Sequence, residues 1–271
     1  MKKLILILFT FYNLYAGAQN KIGQLIQAEK DFAAFSVANN TRAAFLKYLD
    51  STGVVFENGK AVNGIEAWNK KDVRAGVLNW HPQFAEISVS GNLGYTTGPW
   101  TFQQKTTTDS IIARGQYATV WKLDNMGNWK FIVDLGVNGL PATDMKEVLE
   151  IDAPMISSFP INLKSMVMAE EAFISQFNKD KFSAYNHYLS EHAILNRNGH
   201  LPTTNANDQK NSISDTPGEL MFKPDHSGIS TSGDLGFVYG SSSMKDKTEN
   251  YLRVWRKEKQ GWKIAMEVVR Y

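Results

Sequence analysis

The apolar positions of this chain follow a helical period and then a strand period, and this order occurs twice. Between Ile22 and Ala38, apolar residues recur at steps of three and four, which is the spacing of one helix face. The same spacing recurs between Met166 and Phe177. The pattern therefore predicts a long helix near the start of each half of the chain.

Shorter helices are predicted directly after each long one. The side-chain oxygens of Asn40 and Asp180 can cap helices that run to about Leu49 and Leu189. In the first half, residues 64–68 (Gly-Ile-Glu-Ala-Trp) suggest a third short helix.

The pattern after these helices is that of strands. β-rich stretches alternate with Gly and Asn turns, which predicts an antiparallel meander. In the first half the predicted strands are 84–89, 94–102, 111–122 and 129–135. Helices followed by such a meander indicate an α+β domain.

Three pairs of segments repeat in the same order in the two halves, which indicates an internal duplication. We therefore interpret residues 21–137 and 162–271 as two copies of one domain. Residues 138–161 connect them, with three prolines that interrupt regular structure and a short helix predicted for 143–151. The repeated segments are 28–32 with 169–173, 87–95 with 229–237 (Ile-Ser-x-Ser-Gly-x-Leu-Gly), and 117–122 with 251–256 (Tyr-x-x-Val-Trp).

Residues 1–18 have the form of a secretory signal peptide: Lys2 and Lys3, an apolar run, and a terminal Ala-Gly-Ala. The alternative is a membrane anchor, but the apolar stretch of about fourteen residues is shorter than the roughly 20 of a spanning helix. We therefore predict an exported mature chain that begins at Gln19, without a membrane segment. The signal does not choose between the periplasm and the exterior of the cell.

Composition narrows the class of protein. With 43% hydrophobic and 21% charged residues, the 271-residue chain is neither disordered nor collagen-like. Removal of Lys2 and Lys3 leaves 27 basic and 27 acidic residues, and the basic cluster at 253–259 is interrupted by Glu258. Nucleic acid is therefore not an expected partner. Since the chain has no cysteine, stability must come from packing of the core.

The repeated motifs resemble the nuclear-transport-factor-2-like (NTF2-like) superfamily, in particular its ketosteroid-isomerase-like and SnoaL-like exported members. This resemblance implies two tandem, cystatin-like α+β domains. In each, a curved antiparallel sheet wraps the long helix into a cone with a mainly apolar pocket. The fold hosts isomerases, cyclases, dehydratases and plain binders, so it does not identify an activity. The motifs are Trp-His-Pro at 80–82, Ser-Gly-Asn-Leu-Gly-Tyr at 90–95, Tyr-x-x-x-Trp at 117–121, Trp-Lys at 129–130 and, in copy two, Phe-Lys-Pro at 222–224.

Carboxylates at matching positions are the first candidates for chemistry. Asp134 lies in the last predicted strand of copy one, and Glu267 has the same place in copy two. A carboxyl that points into the cone would gain a raised pKa and could move a proton, whereas a structural ion pair explains the coincidence equally well. Glu29 and Glu170 also coincide, and we interpret them as flanking the core stripe or pairing with basic residues.

The remaining candidates are aromatic and polar residues of copy one. Tyr95 and Tyr117 could steady a ligand oxygen, or simply pack in the sheet. Trp68 and Trp100 have Asp208 and Ser242 near the matching positions of copy two, so the fold does not need them and they become pocket candidates. The other two candidate ligand-binding residues are His81, which could equally settle a loop, and Glu57.

Several other chemistries lack their signatures. The five histidines do not form His-Glu-x-x-His and there is no thiolate set, so no metal site is predicted. The glycines at 91, 94 and 98 join strands and do not open a helix, so no nucleotide loop is predicted. No Gly-x-Ser-x-Gly elbow occurs. We therefore expect no cofactor.

Three functions stay open at this point. The leading hypothesis is an exported protein that binds a small apolar or amphipathic molecule in copy one, with copy two as a diverged partner in an intrachain pseudo-dimer. The second is an isomerase or dehydratase in which Asp134 moves a proton while Tyr95 or Tyr117 steadies the substrate oxygen. The third is a protein-interaction module with filled cones.

Overall fold

The computed structural model describes residues 21–73, 75–139, 149–150, 160–203 and 205–271. The predicted signal peptide at 1–18 and most of the connector lie outside these residues. None of the described helices is long and apolar enough to cross a membrane.

Copy one begins with three helices. Residues 21–38 form α1, followed by α2 (Thr41–Tyr48) and α3 (Gly64–Lys70). As predicted, Asn40 caps α2, since its side chain accepts a hydrogen bond from the amide of Ala43 at 2.8 Å. Asn63 caps α3 in the same way.

The strands of copy one form a sheet of the order β2-β1-β7-β6-β5-β4-β8, with β3 paired to β5 beside β4. Its long strands β5, β6 and β7 are antiparallel neighbours, as the sequence predicts, whereas β1 pairs with β7 in parallel. The strands are β1 (Leu49–Glu57), β2 (Lys60–Asn63), β3 (Val77–Trp80), β4 (Phe84–Ile87), β5 (Leu93–Gln103), β6 (Ile111–Leu123), β7 (Trp129–Asn138) and β8 (Leu149–Glu150).

Copy two repeats this plan with a sheet of the order β10-β11-β12-β13-β9. Its first helix, α4, packs on that sheet through buried Met166, Phe173 and Phe177. Asp180 caps α5, as predicted. The elements are α4 (Leu163–Phe177), α5 (Lys181–Tyr188), β9 (Leu189–Arg197), α6 (Ala206–Asp215), β10 (Met221–Ile229), β11 (Leu235–Met244), β12 (Lys247–Glu258) and β13 (Gly261–Val269). The prediction of two α+β domains with curved sheets is confirmed.

The two sheets share one hydrophobic cluster. Side chains on alternate positions of β6 and β7, such as Val120 and Val133, pack in the same cluster as Leu252 and Met266 of copy two. Polar contacts join the copies at the edges of this cluster. Arg256 Nη1 lies 2.9 Å from Glu86 Oε1, and other bonds connect the repeated 87–95 and 229–237 segments. The outer face of each sheet is thereby buried, and helices cover the inner face.

Two details differ from the sequence prediction. The strands β1, β2 and β3 were not predicted, because they are short or mix polar with apolar positions. The helix predicted for 143–151 lies mostly outside the described residues, but its Leu149 and Glu150 form the strand β8. For these two residues the helix prediction is wrong, because their backbone forms a parallel strand pair with Phe84 and Ala85 instead of the hydrogen bonds of a helix.

Candidate functional site

The cone of copy one contains an open cavity of about 260 Å³. It lies between the helices α1 and α2 and the inner face of β3, β5, β6 and β7. Aromatic side chains form most of the wall, and a carboxyl, an amide and a guanidinium give it a polar side. The lining residues are Phe32, Phe45, Leu78, Trp80, Trp100, Tyr117, Asp134, Gly136, Asn138 and Arg270.

Two tryptophans face each other across paired strands at this wall. Trp80 on β3 is the register partner of Trp100 on β5, so both side chains project to the same face of the sheet. Trp100 can lie against the sheet because the neighbouring residue on β6 is Gly115. A Cβ there would stand 2.9 Å from Trp100 Nε1 and much closer still to the carbonyl of Val137. The glycine therefore makes room for the indole.

Asp134 stands on β7 directly opposite Thr119 of β6. The Thr119 hydroxyl donates to Asp134 Oδ2 at 2.9 Å. The carboxyl is surrounded by protein but partly accessible from the cavity. Burial raises the pKa of Asp134 to about 6, against the opposing effects of Thr119 and of the Arg270 charge. Asp134 can therefore change its protonation state near neutral pH.

Glu29 lies behind the cavity wall and is fully buried. Its carboxyl accepts hydrogen bonds from Trp80 Nε1 at 2.5 Å, from Thr96 Oγ1 at 2.5 Å and from Trp121 Nε1 at 2.8 Å. Burial raises the pKa of Glu29 to about 7 in spite of these bonds. Since Trp80 lines the cavity, Glu29 fixes the position of one cavity wall. The expectation that Glu29 only flanks the core stripe or pairs with a basic residue is not met.

Tyr117 lines the same cavity, but its hydroxyl is directed into the protein toward Glu29 and Thr96. That hydroxyl is buried and has no hydrogen-bond partner among the described residues, although Thr96 is near enough to influence its pKa. Burial raises the pKa of Tyr117 well above its usual value, so the group stays a neutral donor.

The cone of copy two is filled by its own charged side chains. Arg253 occupies the position of Thr119, opposite Glu267 at the position of Asp134. Arg253 donates to Glu267 Oε2 at 2.7 Å and to Glu170 Oε1 at 2.5 Å. Arg197 also pairs with Glu267. Burial alone would raise the pKa of Glu267, but the charges of Arg197 and Arg253 outweigh it, and the pKa is lowered.

The charged groups inside copy two are also closely packed by aromatic rings. The Arg253 guanidinium carbon lies 4.4 Å from the ring centre of Phe173 and 4.1 Å from that of Phe222. Trp255 Nε1 and Tyr251 OH also donate to Glu170, and all these groups are buried or nearly so. The space that is a cavity in copy one is thus occupied in copy two by a closed ion network.

The structure brings only some of the predicted site residues together. Asp134, Tyr117 and Trp100 line the cavity. Tyr95 is buried in the cluster between the sheets, because its side chain leaves the other face of β5. Trp68 packs on Phe45 at 4.3 Å behind the wall.

Two further predicted residues lie at the surface. His81 is exposed in the loop after β3 and does not line the cavity. Glu57 forms an ion pair with Lys71 at 2.8 Å, with both side chains about one third exposed. The structure therefore does not place His81 or Glu57 in this cavity.

Sequence reasoning missed Trp80, Asn138 and Arg270. Trp80 was within a family motif, and its counterpart Phe222 is also aromatic, so it gave no contrast between the copies. Arg270 belongs to copy two and reaches the cavity of copy one only through the packing of the two copies. Among the described residues, no group of three or more His, Cys, Asp or Glu side chains could hold a metal ion.

Comparison with known proteins finds likeness in structure. No protein-family model and no curated protein sequence matches the chain. An NTF2-like protein of unknown function from Shewanella oneidensis is 18% identical, with a TM-score of 0.33, over 40% of this chain and 98% of its own. A ketosteroid isomerase-like protein from Erwinia carotovora is 17% identical, with a TM-score of 0.33, over 41% and 97%.

An NTF2-like protein from Cytophaga hutchinsonii is 16% identical, with a TM-score of 0.31, and covers 40% of this chain and 97% of its own. The chain is therefore similar to NTF2-like and ketosteroid isomerase-like proteins over about two fifths of its length.

Proposed function

We propose that the protein binds a small amphipathic molecule in the cone of copy one, with copy two as its structural partner in a pseudo-dimer. The observation that carries this proposal is the contrast between the two cones. Thr119 and Asp134 leave an aromatic-lined cavity in copy one, whereas Arg253 and Glu267 close the same space in copy two. A cavity of about 260 Å³ suits a molecule of one or two rings.

A ligand that enters this cavity is expected to raise the melting temperature of the protein. At 100 times its dissociation constant, a ligand adds about 2.7 kcal/mol to the free energy of unfolding. The measurement is a thermal-unfolding screen of the chain from Gln19 against phenols, small carbonyl compounds, short fatty acids and steroids. Because Trp100 forms the wall, Trp100→Ala is expected to weaken binding at least about tenfold.

The matched control for that variant is Trp68→Ala. Trp68 is half-buried like Trp100, and it packs on the cavity residue Phe45, but it does not itself line the cavity. Trp68→Ala should keep most of the ligand-induced shift even if it lowers the melting temperature of the free protein. Equal shifts in Trp100→Ala and in the unchanged protein would contradict the proposed site.

Acid–base catalysis is the second candidate function. It is favoured by the position of Asp134, whose carboxyl faces the cavity with a pKa of about 6. Such a group can accept a proton from a carbon acid and return it. Tyr95 takes no part in this acid–base mechanism, because its side chain lies on the other face of the sheet.

If the protein is such an enzyme, Asp134→Asn is expected to lower kcat by a factor of about 10² to 10⁴ while the ligand still binds. The assay follows exchange of substrate protons with solvent deuterium by NMR, using compounds that stabilise the protein. Asp31→Asn, which changes an exposed carboxylate on α1, serves as the control. Proton exchange at an unchanged rate in Asp134→Asn would remove this candidate and leave the binding protein.

Export completes the proposal. It rests on residues 1–18 alone, with their basic start, apolar run and Ala-Gly-Ala site. N-terminal sequencing of the chain recovered from the periplasm and from the medium tests it. A chain that keeps Met1 in the cytoplasm would contradict it.

A further inference from the structure

Copy two contributes a cation to the cavity of copy one. Arg270 directly follows β13, yet its side chain lines the copy-one cavity. Its Nε donates to the carbonyl oxygen of Gly136 on β7 at 2.5 Å. The backbone is held as well, since the Arg270 amide donates to Asn250 at 3.1 Å and its carbonyl accepts from Ser242 at 2.7 Å. The guanidinium is therefore held at the cavity from the neighbouring copy.

The terminal nitrogens of this guanidinium are available to a ligand. An arginine has five N–H donors, and the bond to Gly136 uses only one. Among the described residues, no carboxylate oxygen lies within 4.0 Å of Arg270, and neither Nη atom has a hydrogen-bond partner. By contrast, Arg197 and Arg256 each pair with a buried glutamate. A charged group that is mostly removed from water and incompletely paired is costly unless a ligand completes it.

The shape of the cavity suggests how the ligand is oriented. The planar guanidinium fork matches the two oxygens of a carboxylate, which it can bind through two parallel hydrogen bonds. Trp80 and Trp100 offer flat apolar surfaces for the remainder of the molecule. Asp134 is on the same wall, and its charge interacts with that of Arg270, so an anion binds at Arg270 most favourably when Asp134 is neutral.

We propose that the ligand is a small aromatic or apolar carboxylic acid whose carboxylate is held by Arg270, so that the binding site is complete only when both copies are present. This inference rests on the proposed function, because it names the chemical class of the ligand for the same cavity. A purely structural role of Arg270, tying the copies together through Gly136, would produce no preference for a carboxylate.

The test compares two probes of nearly the same size and shape, the anion 2-naphthoate and the neutral amide 2-naphthamide. Binding to the chain from Gln19 is measured by isothermal titration calorimetry. The unchanged protein is expected to bind the carboxylate at least about tenfold more tightly than the amide. Arg270→Gln is expected to reduce this preference, measured as the ratio of the two affinities, to about twofold or less. Lys263→Gln removes a cation from the other end of β13 and should keep the full preference.

The outcomes separate the inference from the function on which it rests. Failure of the unchanged protein to bind either probe would contradict the proposed function. Equal binding of both probes, or a full preference retained in Arg270→Gln, would overturn only the inference. If Arg270→Gln does not fold, the same two affinities are measured with Arg270→Lys, which keeps the charge without the planar fork. It should lower the preference at least about threefold, and an unchanged preference would overturn the inference.

Discussion

Replacement of Arg253 by methionine is expected to lower the free energy of unfolding of copy two by about 3–5 kcal/mol. The variant leaves Glu170 and Glu267 buried, with one arginine fewer to balance them. Removing one partner of a buried ion network costs more than the network itself contributes, because the remaining charge has lost its compensation. Tyr251 and Trp255 would still donate to Glu170, which limits the loss.

Urea unfolding followed by circular dichroism measures this effect. Lys257→Met is the matched control, because Lys257 lies on the same strand at the surface, 5.3 Å from the ring centre of Trp262. It should change stability by less than about 1 kcal/mol. If the copies unfold separately, only the transition of copy two should move in Arg253→Met. A loss of less than about 1 kcal/mol in Arg253→Met would show that the network is not needed for stability.

The free energy of unfolding is also expected to fall as pH rises from about 4.5 to about 7, because of Glu29. Burial raises the pKa of Glu29 from 4.5 to about 7, so the folded protein holds this proton over a range in which the unfolded chain has released it. The extra stability is fully present below the unfolded pKa and is lost as pH passes through the folded value. A shift of this size corresponds to about 3 kcal/mol.

Glu267 acts in the opposite direction. Its pKa is lowered, so its contribution is present above the unfolded value and is lost as pH falls. The two copies therefore respond to acid with opposite signs. The pH dependence between 4.5 and 7 comes from copy one, in which Asp134 adds to the effect of Glu29 with the same sign.

Urea unfolding at pH values from 4.5 to 8 tests this prediction. Glu29→Gln should reduce the fall in stability by about 3 kcal/mol. The amide nitrogen of the variant must face an indole donor, either Trp80 or Trp121, so this variant starts from a lower stability, but its slope with pH is independent of that offset. Asp31→Asn, which alters an exposed carboxylate on the same helix, should keep the original slope. An unchanged slope in Glu29→Gln would contradict the raised pKa.

The helices and the long strands of both copies follow from local patterns, which is why the sequence predicts them. The caps Asn40 and Asp180 act within three residues of their own position. Local patterns do not predict on which face of the sheet a strand residue lies. Tyr95 and Tyr117 both sit in apolar strands that are buried on two sides, so alternation alone could not tell the cavity face from the face between the copies.

One difference between the two copies in the sequence points to the filled interior of copy two. Alignment of Tyr-Ala-Thr-Val-Trp at 117–121 with Tyr-Leu-Arg-Val-Trp at 251–255 sets Arg253 against Thr119, and the structure pairs this arginine with Glu267. Arg270 could not be found in this way. Its role depends on how the two copies pack, and no pattern within a single copy contains that information.

A tandem chain can carry threonine at position 119 of one copy and arginine at the equivalent position 253 of the other. A symmetric homodimer cannot carry different residues at equivalent positions. In a dimer of identical subunits, every substitution appears twice, so an arginine that plugs one cone would plug both. Joining the copies in one polypeptide lets the two positions evolve separately. The interior of one cone is filled by an ion network, and the other cone keeps a cavity with a guanidinium at its wall. Fusion of the two copies in one chain thus allows one cone to be filled while the other keeps its cavity.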